Sequence, residues 1–315
     1  MTAPTDVQEL GRDRRRIDLR FRGTPGLIGS YLLPLGDGWA MVETGPARCR
    51  APLLAGLEAA GIDRSEIRQV FVTHIHLDHA GGLGAVQEDL PRATFYAHAQ
   101  GVPHLVAPAK LDASARRAWG PVYDEILGGL TPVDPARIRP LTGGEEFPLR
   151  GGLLRVLDTP GHARHHLSFF DTATRAMLTG DAAGVRLRGS DRARPAVPPP
   201  DLDLDHLDAS VRRMIAEEPG ALWYTHYGPY PGGREPLEEY RQSVRQWAQV
   251  ARAALEECAE GASVAERLRE FELQRIGPGA EATIAREDLV SGTEMAAMGL
   301  VRYLTGRPRA DGGAR

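Results

Sequence analysis

The stretch Thr73-His74-Ile75-His76-Leu77-Asp78-His79-Ala80-Gly81-Gly82 decides how this sequence is interpreted. Four potential metal ligands fall within six residues of it, from His74 to His79. They directly follow the short apolar run Gln69-Val70-Phe71-Val72 and precede a pair of glycines, a setting typical of a loop between a strand and a helix. A lone histidine is usually a surface or core residue, but this density of imidazole in one loop indicates a metal site.

Three further segments place a histidine or a carboxylate immediately after a predicted strand. Side chains at one end of successive strands converge in sheets that helices flank, and folds of this kind tend to keep their sites at that edge. The convergence of several histidines and aspartates favours a metal site over chance placement. The three segments are Asp158-Thr159-Pro160-Gly161-His162, Leu178-Thr179-Gly180-Asp181 and Trp223-Tyr224-Thr225-His226.

Hydrophobic periodicity predicts that strands and helices alternate through most of the chain. A β-meander opens this part, and a β-α-β rhythm follows it. The Arg- and Pro-rich stretch 186–200 is expected to form a surface loop. Strands are predicted over 16–22, 27–33, 39–43, 69–72, 94–97, 153–157, 167–170, 176–178 and 221–224, and helices over 51–60, 113–127 and 203–217.

The character of the sequence changes after Pro231-Gly232-Gly233. The segments 235–260, 264–271 and 286–304 have helical patterns, and no strand is predicted between them. We therefore expect the chain to have three parts. They are a flexible N-terminal tail over 1–16, a main domain over 17–232 and a C-terminal helical appendage over 233–315.

Composition narrows the class of protein. The chain has 315 residues, 42% hydrophobic and 25% charged, so it can bury a substantial core. Lys+Arg 38 against Asp+Glu 42 gives a net charge of −4, which provides no general attraction to nucleic acid or anionic membrane. Two cysteines without C-x-x-C spacing favour a reducing cytosol, and no apolar stretch approaches the roughly 18–20 residues that cross a bilayer. The expectation is a cytoplasmic protein that acts on a small molecule, with neither nucleic acid nor membrane as partner.

The motifs together resemble the signature of the metallo-β-lactamase superfamily. That signature is T-H-x-H-x-D-H, followed by a distant T-P-G-H, a G-D and a final histidine after a strand, and all four occur in order within residues 17–228. The resemblance implies an α/β (α+β) fold, a four-layer αβ/βα sandwich of two mixed sheets with helices on the outer faces and metals at one edge. The C-terminal helices would extend this sandwich, where they could cap the pocket, pack on the sandwich or form a homodimer.

The resemblance also implies a ligand set and a chemistry. Imidazole and carboxylate donors suit zinc, and iron or manganese would accept them too. Two divalent ions about 3.5–4 Å apart can hold a bridging water and lower its pKa toward about 7, which yields a hydroxide nucleophile. Asp78 would in addition orient that nucleophile or pass a proton to the leaving group. By position, His74, His76 and His162 would hold one metal, Asp78, His79 and His226 the second, and Asp181 would bridge both.

Other residues near the motifs carry weaker expectations. Glu43-Thr44-Gly45 stands where relatives usually have Asp-Thr-Gly, a turn near the metals, and its longer side chain is a departure. Tyr227 and Tyr230 either line the substrate pocket or pack the loop after His226. Two further histidines, His165 and His166, are expected to support the metal ligands or the fold. Three others, His98, His104 and His206, are expected to lie at the surface or to pack in the interior. The cysteines Cys49 and Cys258 are expected to be small buried hydrophobic residues.

The resemblance leaves the reaction open among several classes. The complete ligand set favours a hydrolase of an ester-like bond, a thioester, lactone or ester, in a broad group that is similar to glyoxalase II. A sulfur dioxygenase with one iron, acting on a thiol or persulfide, is the first alternative, and an inactive metal-binding scaffold is the second. Substrate choice is expected to depend on residues 186–200, residues 98–130 and the C-terminal helices.

Overall fold

The computed structural model describes residues 7–257 and 261–306. Two mixed β-sheets pack face to face, and helices cover the outer face of each sheet. The chain therefore forms a four-layer sandwich, which confirms the expected fold class. Stacking two sheets between helices lets each sheet bury both of its faces.

The first sheet has seven strands that are neighbours in chain order. The first four are antiparallel to one another, and the later ones join in parallel. Each parallel pair requires a crossover connection, which helices supply here. The strands are β1 (Val7–Gly11), β2 (Arg14–Asp18), β3 (Gly29–Pro34), β4 (Trp39–Val42), β5 (Ile67–Phe71), β6 (Thr94–His98) and β7 (Ile138–Leu141).

The second sheet has six strands, again neighbours in chain order. All adjacent pairs of strands are antiparallel except one, and the two strands of that parallel pair are joined by a helical crossover. The strands are β8 (Glu146–Leu149), β9 (Gly152–Asp158), β10 (Leu167–Asp171), β11 (Ala176–Leu178), β12 (Ala221–Tyr224) and β13 (Gly228–Pro231), and the parallel pair is β11 with β12.

The core between the two sheets is built from side chains that alternate along the strands. In β3, Tyr31 and Leu33 point into this inner core, whereas Leu32 points to the helices outside. Phe71 of the first sheet meets Phe169 of the second edge-on, with ring centroids 5.5 Å apart. Aromatic and aliphatic packing of this kind joins the sheets and sets the relative position of their edges.

Helices form the two outer layers. Those that connect strands of the first sheet pack on that sheet, and the long helices near the C-terminus pack on the second. Among the described helices, none is both long enough and apolar enough to cross a membrane. The helices are α1 (Arg50–Ala59), α2 (Leu77–Ala80), α3 (Leu83–Val86), α4 (Val102–Val106), α5 (Ala109–Trp119), α6 (Tyr123–Ile126), α7 (Leu204–Ala216), α8 (Arg234–Glu257), α9 (Gly261–Ile276), α10 (Ala280–Glu287) and α11 (Thr293–Leu304).

The C-terminal helices share one hydrophobic core with the second sheet. Trp247 of α8, Leu268 of α9 and Leu300 of α11 are fully buried in the cluster that also contains Leu222 of β12. The indole Nε1 of Trp247 donates a hydrogen bond to Glu272 Oε1 at 2.7 Å, which satisfies its polar atom inside the core. These helices thus supply the outer layer of the second sheet.

The stretch 186–200 differs from its prediction as a surface loop. Residues 193–197 are buried, because the C-terminal helices cover them. Arg194 is fully buried, and its Nη2 donates to Asp288 Oδ1 and to Thr293 Oγ1, both at 2.6 Å. A basic stretch can be buried when carboxylates and hydroxyls of a neighbouring element accept the hydrogen bonds of its guanidinium groups.

The prediction of a flexible tail over 1–16 is wrong for residues 7–16, which form β1 and most of β2. Arg14 explains the error, because its side chain is buried and pairs with Asp171 of β10, with Nε 2.8 Å from Oδ2. A buried arginine has the sequence pattern of an exposed strand or tail, so the pattern could not reveal it. Residues 1–6 lie outside the described part of the chain.

Other element predictions need correction as well. The short strands β7, β8 and β13 were not predicted, because Arg and Pro interrupt their apolar patterns. The helix predicted over 113–127 is two helices, separated at Gly120, whose φ is +60°. Cys49 is buried as expected, and burial raises the pKa of its thiol to about 12. Cys258 lies outside the described residues.

Candidate metal centre

Strands from both sheets end at one edge of the sandwich, and polar side chains follow each of them directly. The two sheets contribute from opposite sides, so the loops between them enclose a shared space. Short connections keep these residues within a few positions of a rigid strand. Glu43 follows β4, the loop of 73–76 follows β5, residues 159–162 follow β9, Asp181 follows β11, and His226 follows β12.

The first donor group consists of His74, His76 and His162. His76 Nδ1 lies 2.9 Å from His74 Nε2 and 3.0 Å from His162 Nε2. Each residue thus offers one nitrogen to the same point, although His162 is 86 residues away from His76. Three convergent imidazole nitrogens form a donor set that divalent transition metals accept.

The second donor group consists of Asp78, His79 and His226. His226 Nε2 lies 3.1 Å from His79 Nε2 and 3.4 Å from Asp78 Oδ2. Asp78 and His79 belong to the short helix α2, which turns their side chains toward the end of β12. This group therefore combines two imidazoles with one carboxylate.

Asp181 lies between the two donor groups. Its Oδ2 is 3.5 Å from His162 Nε2 in the first group, and its Oδ1 is 3.4 Å from His79 Nε2 in the second. Oδ1 is buried and has no hydrogen-bond partner. A buried carboxylate oxygen without a partner is costly, and a cation beside it would remove that cost. One carboxylate thus faces both groups, one oxygen to each.

Hydrogen bonds at the far side of the rings orient the imidazoles. Backbone carbonyls and carboxylates accept only, so the Nδ1 atoms that face them carry the protons and the Nε2 atoms present lone pairs to the centre. Lone pairs about 3 Å apart repel unless a cation or proton lies between them. These contacts are His162 Nδ1 to Ala196 O at 2.9 Å, His226 Nδ1 to Leu27 O at 2.9 Å and His79 Nδ1 to Glu43 Oε1 at 3.1 Å.

The two groups differ in how strongly they hold protons. Burial and the adjacent His162 lower the pKa of His76 to about 3, which keeps its imidazole in the neutral form that binds metal. Burial also acts to lower the pKa of His226, but the Asp181 carboxylate and the hydrogen bond with Asp78 outweigh it and raise that pKa. The donor chemistry therefore fits divalent cations in both groups, with the first already deprotonated.

Glu43 connects several residues beneath the second group. The residue is fully buried at the end of β4 and has a φ of +73°. Its Oε1 accepts hydrogen bonds from Thr73 Oγ1 at 2.5 Å, from His79 Nδ1 at 3.1 Å and from Thr225 Oγ1 at 3.3 Å. Glu43 thus connects His79 to the loops after β5 and β12. The glutamate that stands here in place of the usual aspartate therefore still contacts a residue of the site.

Replacement of Glu43 is expected to weaken metal binding without removing a donor. Glu43→Gln keeps the shape of the side chain but loses the charge that holds the Nδ1 proton of His79. Residues that orient metal-binding histidines in this way typically contribute about 10–100-fold to metal affinity. Competition with a fluorescent chelator would measure the change. Glu125→Gln, an exposed carboxylate on α6, is the control, and equal affinities of both variants would contradict this role.

His166 lies beside the two groups. Its Nδ1 is 2.9 Å from Thr159 Oγ1, and its Nε2 accepts a hydrogen bond from the backbone N of Asp181 at 3.1 Å. Gly180 makes this approach possible, because a Cβ there would lie 2.6 Å from His166 Nε2 and its φ is +51°. His166 therefore supports the position of Asp181.

The remaining histidines have three different settings. His165 Nδ1 accepts a hydrogen bond from the backbone N of Ile75 at 3.4 Å, next to the first group. His98 ends β6, is 6% exposed and has its Nε2 3.6 Å from Asp158 Oδ1, which fits the expected role in packing. It belongs to a strand that contributes no donor to either group. His104 and His206 are exposed, as expected.

The structure brings together all seven side chains singled out from the sequence motifs, as two donor groups with Asp181 between them. The chain matches the family model of the metallo-beta-lactamase superfamily over residues 23–226. It belongs to that superfamily. The family implies divalent metal ions, and the His and Asp groups provide donors for them.

Similar sequences among curated proteins agree with this assignment. The chain is 31% identical to the metallo-beta-lactamase fold-containing protein ST1585 of Sulfurisphaera tokodaii, over 50% of this chain and 60% of the relative. It is 28% identical to an atrochrysone carboxyl ACP thioesterase of Aspergillus fumigatus, over 57% of this chain and 45% of that relative. It is also 28% identical to a hydroxyacylglutathione hydrolase of Dechloromonas aromatica, over 48% of this chain and 42% of that relative. The chain spans about half the length of these curated relatives.

Solved structures show the same fold. The crystal structure of ST1585 from Sulfolobus tokodaii has a TM-score of 0.63 at 24% identity, and covers 88% of this chain and 93% of its own. The metallo-beta-lactamase family protein TTHA1429 from Thermus thermophilus has a TM-score of 0.63 at 21% identity, over 89% of this chain and 88% of that structure. TTHA1623 in a di-iron-bound form has a TM-score of 0.50 at 28% identity, over 66% of this chain and 91% of that structure.

Proposed function

We propose that this chain is a metal-dependent hydrolase with a dinuclear zinc site that cleaves a thioester, lactone or ester of a small molecule. The observation that carries the proposal is Asp181, whose two carboxylate oxygens face two separate donor groups. A single metal would need only one of these groups. The presence of both, complete and close together, favours a pair of metals and argues against an inactive scaffold.

The proposed ligand set follows from the two groups. When bound, two divalent ions supply a hydroxide nucleophile near neutral pH and polarise the oxygen of the scissile carbonyl. The protein's own contribution is to hold seven donors in place, because Nδ1 contacts fix the rings of His79, His162 and His226 and buried strands fix the loops. His74, His76 and His162 are proposed to hold the first metal, Asp78, His79 and His226 the second, and Asp181 both.

Asp78 is proposed to have a second role as the catalytic acid or base. Its side chain is 20% exposed, whereas that of Asp181 is 8% exposed and that of His226 is fully buried. It is therefore the donor of the second group that reaches the open side of the centre. Burial acts to raise the pKa of Asp78, but His79 and a hydrogen bond from His226 lower it to about 2. The carboxylate is thus ionised at neutral pH and can accept a hydrogen bond from the nucleophile or move a proton.

Asp78→Asn is expected to lower kcat by about 10²–10⁴-fold, the contribution typical of a positioned acid or base. The fraction of metal that the variant retains is expected to be larger than the fraction of activity that it retains. The amide keeps one oxygen donor but accepts no proton at neutral pH. Metal content and kcat should be measured on the same sample. Asp37→Asn, at a carboxylate whose side chain is 89% exposed, is the control. Full activity with both metals retained would refute the role of Asp78.

Two relatives support a thioester among the three candidate bonds, since one is named a thioesterase and another a hydroxyacylglutathione hydrolase. The second of these also supports the comparison with the glyoxalase II group. We therefore place thioesters first among the substrates to test, ahead of lactones and simple esters.

The test of the proposed function combines metal analysis with a substrate panel. Purified protein is expected to contain about two divalent ions per chain, to lose hydrolysis when a chelator removes them, and to regain it with zinc. The panel contains a thioester, an acyl-lactone and an aryl ester. TTHA1623 in its di-iron form shows that a related structure holds iron. A single iron per chain with oxygen-dependent turnover of a thiol or persulfide, and no hydrolysis, would replace the hydrolase with the dioxygenase.

A further inference from the structure

A cavity of about 710 Å³ lies beside the segment that directly follows His226 in the chain. Its walls are the first strand of the fold, the chain at 186–190 and the chain at 227–230. A volume of this size lies within the range of small-molecule sites. Neither donor group of the metal centre contributes a residue to its lining.

Arg16 forms one wall of this cavity. The residue is only 2% exposed, and its guanidinium carbon lies 3.8 Å from the centre of the Tyr227 ring. Two glycines make room for it, because a Cβ at Gly29 would lie 2.9 Å from Arg16 Cδ and a Cβ at Gly228 would overlap Arg16 Nη1. The Nε of Arg16 is buried without a hydrogen-bond partner. The fold thus builds a position for this cation and leaves one of its donors unused.

Arg186 lines the same cavity and is held in a similar way. It is also 2% exposed, and its guanidinium carbon lies 3.1 Å from the centre of the Tyr230 ring. Its Nη2 donates to the backbone oxygen of Asp191, whereas Nε and Nη1 are buried without hydrogen-bond partners. The Tyr224 hydroxyl lies near this guanidinium but is neutral, because burial raises the pKa of Tyr224.

Neither cation has a carboxylate partner within the described ranges 7–257 and 261–306. Two acidic side chains of this region, Glu9 and Asp18, have other partners. Glu9 pairs with Arg15, with Oε1 2.7 Å from Nε. Asp18 accepts hydrogen bonds from the backbone N of Gly26 at 2.7 Å and from Tyr227 Oη at 3.1 Å. Burial of a cation without an anion is costly, so two such arginines in one cavity indicate that an anion binds there.

We propose that this cavity binds the phosphate group of a small molecule, between Arg16 and Arg186. A phosphate monoester carries about 1.5 to 2 negative charges at pH 7, which two guanidinium groups neutralise. The fork of a guanidinium matches the oxygens of a phosphate, and stacking on a tyrosine ring holds each fork in place. A single carboxylate would leave one of the two cations uncompensated. The volume beyond the phosphate accommodates the organic part of the ligand.

The cavity adjoins the metal centre through the backbone. Arg186 N donates to His226 O at 2.5 Å, and Tyr227 N donates to Arg186 O at 2.9 Å. Tyr227, which forms the wall on which Arg16 stacks, directly follows His226 in the chain. A ligand in this cavity therefore contacts the segment that positions a proposed metal donor. The binding site itself does not depend on the proposed hydrolase activity.

Titration calorimetry with inorganic phosphate at constant ionic strength tests the proposal on the full chain. The protein is expected to bind phosphate with saturation and to bind acetate at least tenfold more weakly. Arg16→Gln and Arg186→Gln are each expected to weaken phosphate binding by about tenfold or more, since each removes charged hydrogen bonds. The control is Arg139→Gln, which removes an exposed arginine from β7 at the opposite edge of the same sheet and should leave binding unchanged.

Two further variants keep the outcome unambiguous. Arg186→Lys preserves the charge and should fold even if Arg186→Gln does not, and it is expected to weaken binding by several-fold because the bidentate fork is lost. His226→Ala, in the metal centre, is expected to retain phosphate binding. Absence of saturable phosphate binding, acetate binding as tight as phosphate, or unchanged binding in both arginine variants would overturn the proposal. Phosphate binding that His226→Ala abolishes would assign the anion to the metals instead.

Discussion

His226→Ala is expected to lower the metal content from about two ions per chain to about one, and hydrolysis by at least about a hundredfold. His226 supplies one of the two imidazoles in the second donor group, with Nε2 3.1 Å from His79 Nε2. Without it, Asp78 and His79 alone remain specific to that metal. Mass spectrometry for metals and a kcat measurement on the same preparation would determine both effects.

The control for this variant is His206→Ala, because His206 is an exposed histidine on α7 outside both donor groups. It should leave metal content and kcat unchanged. Circular dichroism would show that both variants retain the fold. If the protein holds a single iron whose occupancy does not respond to loss of His226, the dinuclear proposal fails and oxygen chemistry becomes the better assignment.

Asp171→Ala is expected to lower the free energy of unfolding by about 3–5 kcal/mol, the usual effect of leaving one member of a buried ion pair without its partner. Asp171 ends β10 in the second sheet and is fully buried, with Oδ2 2.8 Å from Nε of the equally buried Arg14 in the first sheet. The same carboxylate accepts hydrogen bonds from Ala173 N at 3.0 Å and Thr174 Oγ1 at 2.9 Å. Urea denaturation followed by circular dichroism would measure the loss.

A surface pair in the same sheet provides the comparison. Glu146 of β8 lies with Oε1 3.1 Å from Arg155 Nε, and both side chains are more than two-fifths exposed. Glu146→Ala should change the free energy of unfolding by less than about 1 kcal/mol, because water and salt screen exposed pairs. A loss for Asp171→Ala no larger than that for Glu146→Ala would show that the Arg14 pair does not hold the N-terminal strands to the second sheet.

The local patterns of this chain were enough to predict its class and its metal motif. The apolar run of β3 and the periodicity of α1 and α7 are properties of neighbouring residues, so they are visible without a structure. The histidine-rich loop at 73–79 is equally local. Its resemblance to a family signature then linked the loop to His162, Asp181 and His226, which no local pattern would have placed beside it.

Edge and loop segments were predicted poorly, because their environment depends on distant parts of the chain. Arg14 and Arg194 are basic residues in polar stretches, which predicted a tail and a surface loop. Each is buried because a carboxylate far along the chain neutralises it, Asp171 for Arg14 and Asp288 for Arg194. The sequence shows the charge of a residue but not the partner that folding brings to it.

The sequence by itself determined the superfamily, the identities of the seven expected donors and the order of most strands and helices. The resemblance implied how the donors divide, but the tertiary structure alone brings the two oxygens of Asp181 to histidines from both sheets, because they meet only after the sheets pack. It likewise decided that Glu43 contacts His79 and that Arg16 and Arg186 share a cavity. These contacts join residues far apart in the chain, and such distances are set by the packing of complete sheets and helices rather than by any local preference.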